Sequence, residues 1–145
     1  MNLKKHLGGV SLMLLGFLFV SCGSNETESL GEGQTGLTTE GIKIENIKAT
    51  DAEIMFKENP GMTVLDIRTP KEFKSGHISK AINIDYKAEH FQSKLEKLDR
   101  DQTYLMYCRS GRRSGLALDT FAKLGFKHIV HIDDGILGWK EKLVK

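Results

Sequence analysis

The chain has 145 residues, a mass of 16.2 kDa and a formal net charge of +2 at pH 7. This length suits one globular domain, and 39% hydrophobic with 28% charged residues excludes disordered and collagen-like chains. Two cysteines are too few for a disulfide framework. Lys4 and Lys5 belong to a leader segment, and without them 19 basic residues balance 19 acidic ones. We expect no nucleic-acid partner, because a neutral domain lacks the required net basic surface.

The first 21 residues resemble a secretory signal peptide. Residues 7–20 are apolar but too few to cross a bilayer, since a membrane-spanning helix needs about 20 apolar residues. Residues 19–22 are similar to the bacterial lipoprotein signal, in which a cysteine after a small residue is lipidated and becomes the new N-terminus. We expect Cys22 to anchor the protein in the bacterial cell envelope, with Gly23 favouring the outer membrane. An ordinary cleaved signal, with Cys22 as a bystander, is the alternative.

Residues 22–41 are predicted to form a flexible tether that carries the lipid on the first of them. Small, polar and acidic residues dominate this segment, and Leu30 and Leu37 are its only large apolar side chains, so it cannot bury a core. As a coil it would extend about 24 Å. The remaining residues, 42–145, are expected to form one domain that lies in the periplasm and works as a monomer.

Strand and helix patterns alternate along this domain. Residues 42–47 alternate like a half-buried strand, and Thr50 with Glu53 matches a capping box that begins a helix. Thr69 is expected to cap another short helix. Further strands are predicted at 63–67, 81–84, 103–107 and 128–132, and further helices at 70–74, 88–98, 112–124 and 135–143. Strands separated by helices predict an α/β fold with a mostly parallel central sheet and helices on both faces.

Side-chain spacing predicts which faces of these elements are buried. Tyr104 and Tyr107 are expected to pack on the same face of their strand. His128 and His131 are three residues apart on a strand and therefore point to opposite faces, so they cannot hold one metal ion. No metal site is expected. The helix at 112–124 is predicted to bury one side, formed by Leu116, Ala117, Phe121 and Leu124.

Cys108 directly follows the predicted strand 103–107, at the edge where active sites of parallel sheets collect. The next residues open a helix, whose N-terminal N–H groups and partial positive charge attract anions. Gly111 permits the positive φ that such a loop requires. The residues expected to bind an anion here are Arg109, Ser110, Gly111, Arg112 and Arg113.

The surroundings of Cys108 predict a reactive thiolate. Cations and a helix N-terminus both favour thiolate over thiol, so we expect the pKa of Cys108 to lie below its usual value of about 8.5. An inert thiol buried in the core is disfavoured, because the flanking arginines and serines cannot be packed without unpaired charge. One of the arginines is expected to pair with a carboxylate such as Glu72. Asp66 and Arg68 are expected to organise the end of the predicted strand 63–67 and the loop beside it.

Several segments resemble, in the right order, a single rhodanese domain. The resemblance covers about residues 42–145 and implies a sulfurtransferase without a cofactor. Cys108 would accept a sulfane sulfur from a small anionic donor such as thiosulfate, hold it as a persulfide, and pass it to a thiol or cyanide. The leaving sulfite needs no proton, which suits a chain with no evident histidine beside the cysteine. The matching segments are 65–70, 72–73, 76–78, 108–113, Gly135 and 138–139.

Two other functions remain open at this point. Cysteine phosphatases and arsenate reductases use a related cradle, with five residues between the cysteine and an arginine. Here Arg113 comes after four, and Ser114 occupies the phosphatase arginine position. The shorter loop suits a sulfur atom better than a phosphoryl group. A non-catalytic rhodanese-like binding or regulatory module is the other alternative, and it is disfavoured because such a module does not need a thiolate.

Overall fold

Five strands, all paired in parallel, form the central sheet of the computed structural model, which describes residues 41–145. The strands are β1 (Lys43–Ile47), β2 (Thr63–Asp66), β3 (Ile82–Asn83), β4 (Thr103–Tyr107) and β5 (His128–Ile132). The helices are α1 (Ala49–Glu58), α2 (Pro70–Ser75), α3 (Phe91–Leu95) and α4 (Arg112–Lys123), followed by a 3₁₀ turn at Gly135–Leu137. The strand order is β1-β5-β4-β2-β3. The predicted α/β class and parallel sheet are confirmed.

The predicted signal peptide at 1–21, Cys22 and all but the last residue of the tether lie outside the described residues. Within residues 41–145, no helix is both long and apolar enough to cross a membrane.

The sheet is covered on both faces, because successive strand side chains point to opposite sides. One face packs against α3 and α4, and the other packs against α1 and the 3₁₀ turn. The helical residues buried on the first face are Phe91, Leu95, Ala117 and Phe121. Those on the second face are Ala49, Ala52 and Ile136. Cys108 belongs to the first face, so the fold places this thiol directly beneath α4.

The predicted start of α1 is wrong. The helix begins at Ala49 with Lys48 as its N-cap, and no side chain of the expected capping box caps it. The Asp134 carboxylate accepts a hydrogen bond from the Ala49 N–H at 2.9 Å instead. The Glu53 carboxylate does not take part in a capping box, because it accepts hydrogen bonds from the backbone N–H groups of Lys140 and Glu141. Partners distant in sequence therefore satisfy the first N–H of the helix and the Glu53 carboxylate, and the capping box does not form.

The prediction for α2 is confirmed at its N-terminus. Thr69 accepts a hydrogen bond from the Glu72 N–H, and the Glu72 carboxylate accepts one from the Thr69 N–H. Pro70 follows at the first helical position, where its missing N–H costs no hydrogen bond.

The last helix predicted at 135–143 is wrong. Only a single 3₁₀ turn forms, and the chain then extends so that Val144 pairs with His77 in an antiparallel bridge. The segment predicted as helical at 88–98 shortens to α3, and the strand predicted at 81–84 shortens to β3.

Two burial predictions are also wrong. Tyr104 and Tyr107 lie on opposite faces of the sheet, as three-residue spacing on a strand requires. Leu116 has 58% of its surface exposed, because α4 turns Ala117 and Phe121 toward the sheet.

Candidate active site

The loop after β4 is seated against the backbone that follows β5. Gly111, the N-cap of α4, has a φ of +80°, and a Cβ there would lie 1.6 Å from the carbonyl oxygen of Asp133. A Cβ on Gly135 would lie 2.6 Å from the backbone of Arg109. The Ile136 N–H donates to the Cys108 carbonyl oxygen at 2.9 Å. Glycine is therefore required on both sides of this contact, which holds the loop in one shape.

Cys108 lies at the carboxyl end of β4 with only 1% of its surface exposed. The expectation that this residue is not buried is wrong. Burial raises the pKa of its thiol, but hydrogen bonds from the Ser114 hydroxyl and from the backbone N–H groups of Ser114, Ser110 and Arg113 lower it by more. The net pKa lies below the usual value of a cysteine, which agrees with the predicted thiolate. The main cause of the lowered pKa is hydrogen bonding by the loop rather than the charge of the arginines.

Arg113 is the arginine that pairs with Glu72. Its two terminal nitrogens donate to the two Glu72 oxygens at 2.9 and 2.6 Å. This guanidinium, aided by Thr69, holds the pKa of Glu72 at about 2, against the effect of partial burial. A bidentate pair fixes the orientation of both groups. Arg113 therefore ties the start of α4 to the start of α2 and supports the loop from the side.

The loop lines an open cavity of about 410 Å³. Arg109 and Arg112 are exposed along its wall, and Ser110 and Arg113 line it as well. Lys87, which follows β3, contributes a further cation. This lysine was not predicted from the sequence, because no local pattern connects it with the cysteine loop.

Asp66 and Arg68 form a buried ion pair at the end of β2. The Arg68 guanidinium donates to the Asp66 carboxylate at 2.5 Å and to the Gly76 carbonyl oxygen at 2.7 Å. Tyr107 also donates its hydroxyl to Asp66, at 2.7 Å, and accepts from the Ile78 N–H. Neither member of the ion pair is among the described residues that line the cavity. Both organise the turn after β2.

A histidine lies two hydrogen bonds from Cys108, contrary to the expectation of none beside it. Ser114 donates its hydroxyl toward Cys108 Sγ at 3.4 Å, and His131 Nε2 lies 2.8 Å from the same hydroxyl. This contact follows from the register of the sheet, which local sequence patterns do not give. His131 pairs with Met106, so its side chain lies on the face that also carries Cys108, which comes two residues after Met106 and just beyond the end of β4.

Metal binding finds no support in the described part of the chain. No group of three or more His, Cys, Asp or Glu residues within 41–145 is placed to hold a metal ion. His128 and His131 point to opposite faces, and the first of them pairs with Glu45 and Thr103.

The fold and the site together define a class of protein: a parallel α/β domain that presents a cysteine, within an anion-binding loop, at the carboxyl end of its sheet. The rhodanese-like domain model matches residues 49–142 of this chain. The protein therefore belongs to the rhodanese-like domain family.

Relatives with assigned names agree with this family. The thiosulfate sulfurtransferase PspE of Escherichia coli is 31% identical over 65 residues, which cover 45% of this chain and 62% of PspE. MoeZ of Mycobacterium tuberculosis is 34% identical over 82 residues, or 57% of this chain, and the match spans only 21% of MoeZ. The crystal structure of a rhodanese-related protein from Thermoplasma volcanium aligns with a TM-score of 0.57 and 32% identity. That alignment covers 69% of this chain and 97% of the solved one.

Proposed function

We propose that this protein is a sulfurtransferase that moves a sulfane sulfur from a small anionic donor such as thiosulfate, through a persulfide on Cys108, to a thiol or cyanide. The observation that carries the proposal is the thiol of lowered pKa at the centre of a ring of loop N–H groups. A thiolate is the nucleophile that this chemistry needs at neutral pH. The name of PspE supports thiosulfate as the donor.

Each half of the reaction balances without an external oxidant or acid. The Cys108 thiolate attacks the sulfane sulfur of thiosulfate, a new S–S bond forms, and the old S–S bond breaks with its electron pair leaving on sulfite. The acceptor, cyanide or a thiolate, then attacks the outer sulfur of the persulfide. The Cys108 Sγ–S bond breaks, and its electron pair restores the thiolate. The loop N–H groups that stabilise the thiolate can also stabilise the negative charge on a persulfide.

The burial of Cys108 favours a small donor. Only 1% of the residue is exposed, so a reacting atom has to enter the loop to reach Sγ. Thiosulfate carries its sulfane sulfur at one end, away from the sulfonate oxygens. Arg109, Arg112 and Lys87 line the adjoining cavity and favour the approach of a dianion.

The proposal is tested by comparing two reactions of the full-length protein. We expect thiocyanate to form from thiosulfate and cyanide, with a turnover above that of an aryl phosphate. The reason is the loop, which has one residue fewer than a phosphatase loop and encloses less space for equatorial oxygens. Faster aryl phosphate hydrolysis would overturn the proposal in favour of a phosphatase. If alkylation at pH 7 finds Cys108 no more reactive than free cysteine, the protein is instead a binding module.

We propose further that the mature protein is anchored in the bacterial envelope through a lipid on Cys22, with its domain in the periplasm. The sequence at residues 19–22 supports this, as does the polar, acidic segment that follows. In bacteria fed an alkyne-tagged fatty acid, we expect the wild-type chain to incorporate the label and Cys22→Ser to incorporate none. A wild-type chain without label contradicts the anchor and favours an ordinary cleaved signal.

A further inference from the structure

Four side chains from β1, β5, α4 and the end of β4 form a line of close contacts. Asn46 Oδ1 lies 2.8 Å from His131 Nδ1, and His131 Nε2 lies 2.8 Å from the Ser114 hydroxyl. The hydroxyl lies 3.4 Å from Cys108 Sγ. Ser114 has no exposed surface, His131 has 5%, and Cys108 has 1%, so water does not compete for the three inner groups. This line ends on the atom that the proposed function makes the nucleophile.

The Ser114 hydroxyl has one proton and several acceptors. Cys108 Sγ, the Gly111 carbonyl oxygen at 3.0 Å and an unprotonated His131 Nε2 all lie within reach. If Nε2 carries no proton, it takes the hydroxyl proton at 2.8 Å and leaves the thiolate without this donor. If Nε2 carries a proton, it donates to the hydroxyl oxygen. The hydroxyl proton is then available for the thiolate, which is a stronger acceptor than a neutral carbonyl.

The position of the Gly111 carbonyl oxygen favours the second arrangement, in which His131 Nε2 carries a proton. It lies 3.3 Å from His131 Nε2, where it can accept a hydrogen bond from an N–H but would face the lone pair of an unprotonated nitrogen. A proton on Nε2 leaves Nδ1 of a neutral ring as an acceptor. The Asn46 oxygen faces Nδ1 in the structure, and a half-turn of the carboxamide about its last side-chain bond presents its nitrogen to Nδ1 instead. The donors then run in one direction along the line, from Asn46 to Cys108.

We propose that His131, oriented by Asn46, is a positioning residue that directs the hydroxyl proton of Ser114 onto Cys108 Sγ and so stabilises the nucleophilic thiolate. The inference rests on the proposed function for the role of Cys108 as nucleophile. It does not need His131 to gain or lose a proton during the reaction, because Nε2 carries a proton in both the neutral and the charged ring.

The charged groups around this line of side chains do not change the direction of its hydrogen bonds, from Asn46 to Cys108. Burial lowers the pKa of His131 and so favours the neutral ring, partly opposed by the Gly111 carbonyl and by Asp133. Arg113 faces Cys108 from α4, and its pairing with Glu72 holds it in place. Of the hydrogen-bond donors that lower the pKa of Cys108, which also include backbone N–H groups of the loop, the Ser114 hydroxyl is the one that contacts His131.

The test measures alkylation of Cys108 by iodoacetamide against pH in the full-length protein, with mass spectrometry of the peptide that contains Cys108. In His131→Leu we expect the midpoint to move to higher pH. At a fixed pH below the wild-type midpoint, the alkylation rate should fall about tenfold, which corresponds to one charge-assisted hydrogen bond. His131→Gln keeps an N–H donor at the same distance along the side chain and should retain the wild-type profile. Thermal unfolding confirms that each variant is folded.

A double variant separates this role from simple packing. In Ser114→Ala the donor to Cys108 is already absent, so adding His131→Leu should leave the alkylation profile unchanged. An equal shift in both backgrounds, or no shift in His131→Leu alone, overturns the proposal. Because alkylation does not require sulfur transfer, a protein without sulfurtransferase activity that still shows the expected shifts would contradict the proposed function and leave the positioning role standing.

Discussion

Replacing Cys108 with serine is expected to reduce thiocyanate formation from thiosulfate and cyanide by about a thousandfold or more. A serine hydroxyl stays protonated in the loop and cannot form the persulfide that carries the sulfur. The change is nearly isosteric at a site with 1% exposure, so the loop and its hydrogen bonds should persist. The loss will therefore be a loss of chemistry and not of structure.

The measurement pairs turnover with intact mass. After incubation with thiosulfate alone, the wild-type protein should gain the mass of one sulfur atom, whereas Cys108→Ser should gain none. The matched control is Cys22→Ser, which removes the other cysteine of the chain and should keep full activity. Thiocyanate formation that survives in Cys108→Ser would show that another group is the nucleophile.

The largest effect on stability is expected from Arg68→Ala. This change leaves the Asp66 carboxylate, which has no exposed surface, without its cation, and it also removes the donor to Gly76. An uncompensated buried charge typically costs about 3–5 kcal/mol of unfolding free energy. Tyr107 and the backbone N–H of residue 68 still donate to Asp66, but two neutral donors do not replace a guanidinium.

Urea unfolding of the full-length chain measures this loss. Lys57→Ala breaks the exposed ion pair between Lys57 and Glu141 and serves as the control, with an unfolding midpoint close to that of the wild type. Replacing both members of the buried pair, in Asp66→Leu with Arg68→Met, should restore part of the stability, because no lone charge remains. A midpoint for Arg68→Ala equal to that of the control would contradict the argument.

The sequence predicts β2, β4 and β5 well because each is a short, largely apolar run that the sheet buries. The runs at 63–67, 103–107 and 128–132 match β2, β4 and β5 within one residue. Prediction from the sequence fails where groups that are distant in the sequence determine the local structure. Asp134 caps α1 from the far end of the chain, and pairing of Val144 with His77 keeps the C-terminal segment extended. Neither contact has a local signal.

The cysteine loop could be predicted because its parts are adjacent in sequence. Cys108, the glycine and the arginines lie within six residues, and their chemistry alone indicates an anion cradle. The residues that complete the site come from other elements. Lys87 follows β3, and His131 reaches Ser114 only because β5 lies beside β4. Without the strand order and register, no spacing rule connects these side chains with the sulfur.

The cysteine loop after β4 packs closely against the backbone after β5. This packing limits the changes by which the fold could acquire a new activity. An inserted residue between Cys108 and Arg113 would push the loop into the carbonyl of Asp133 and into Gly135, where even a methyl group does not fit. Conversion toward phosphoryl transfer therefore needs coordinated changes in two segments, 108–113 and 133–135, that are separate in the sequence. Evolution of the loop by single insertions is sterically blocked unless the neighbouring turn changes first.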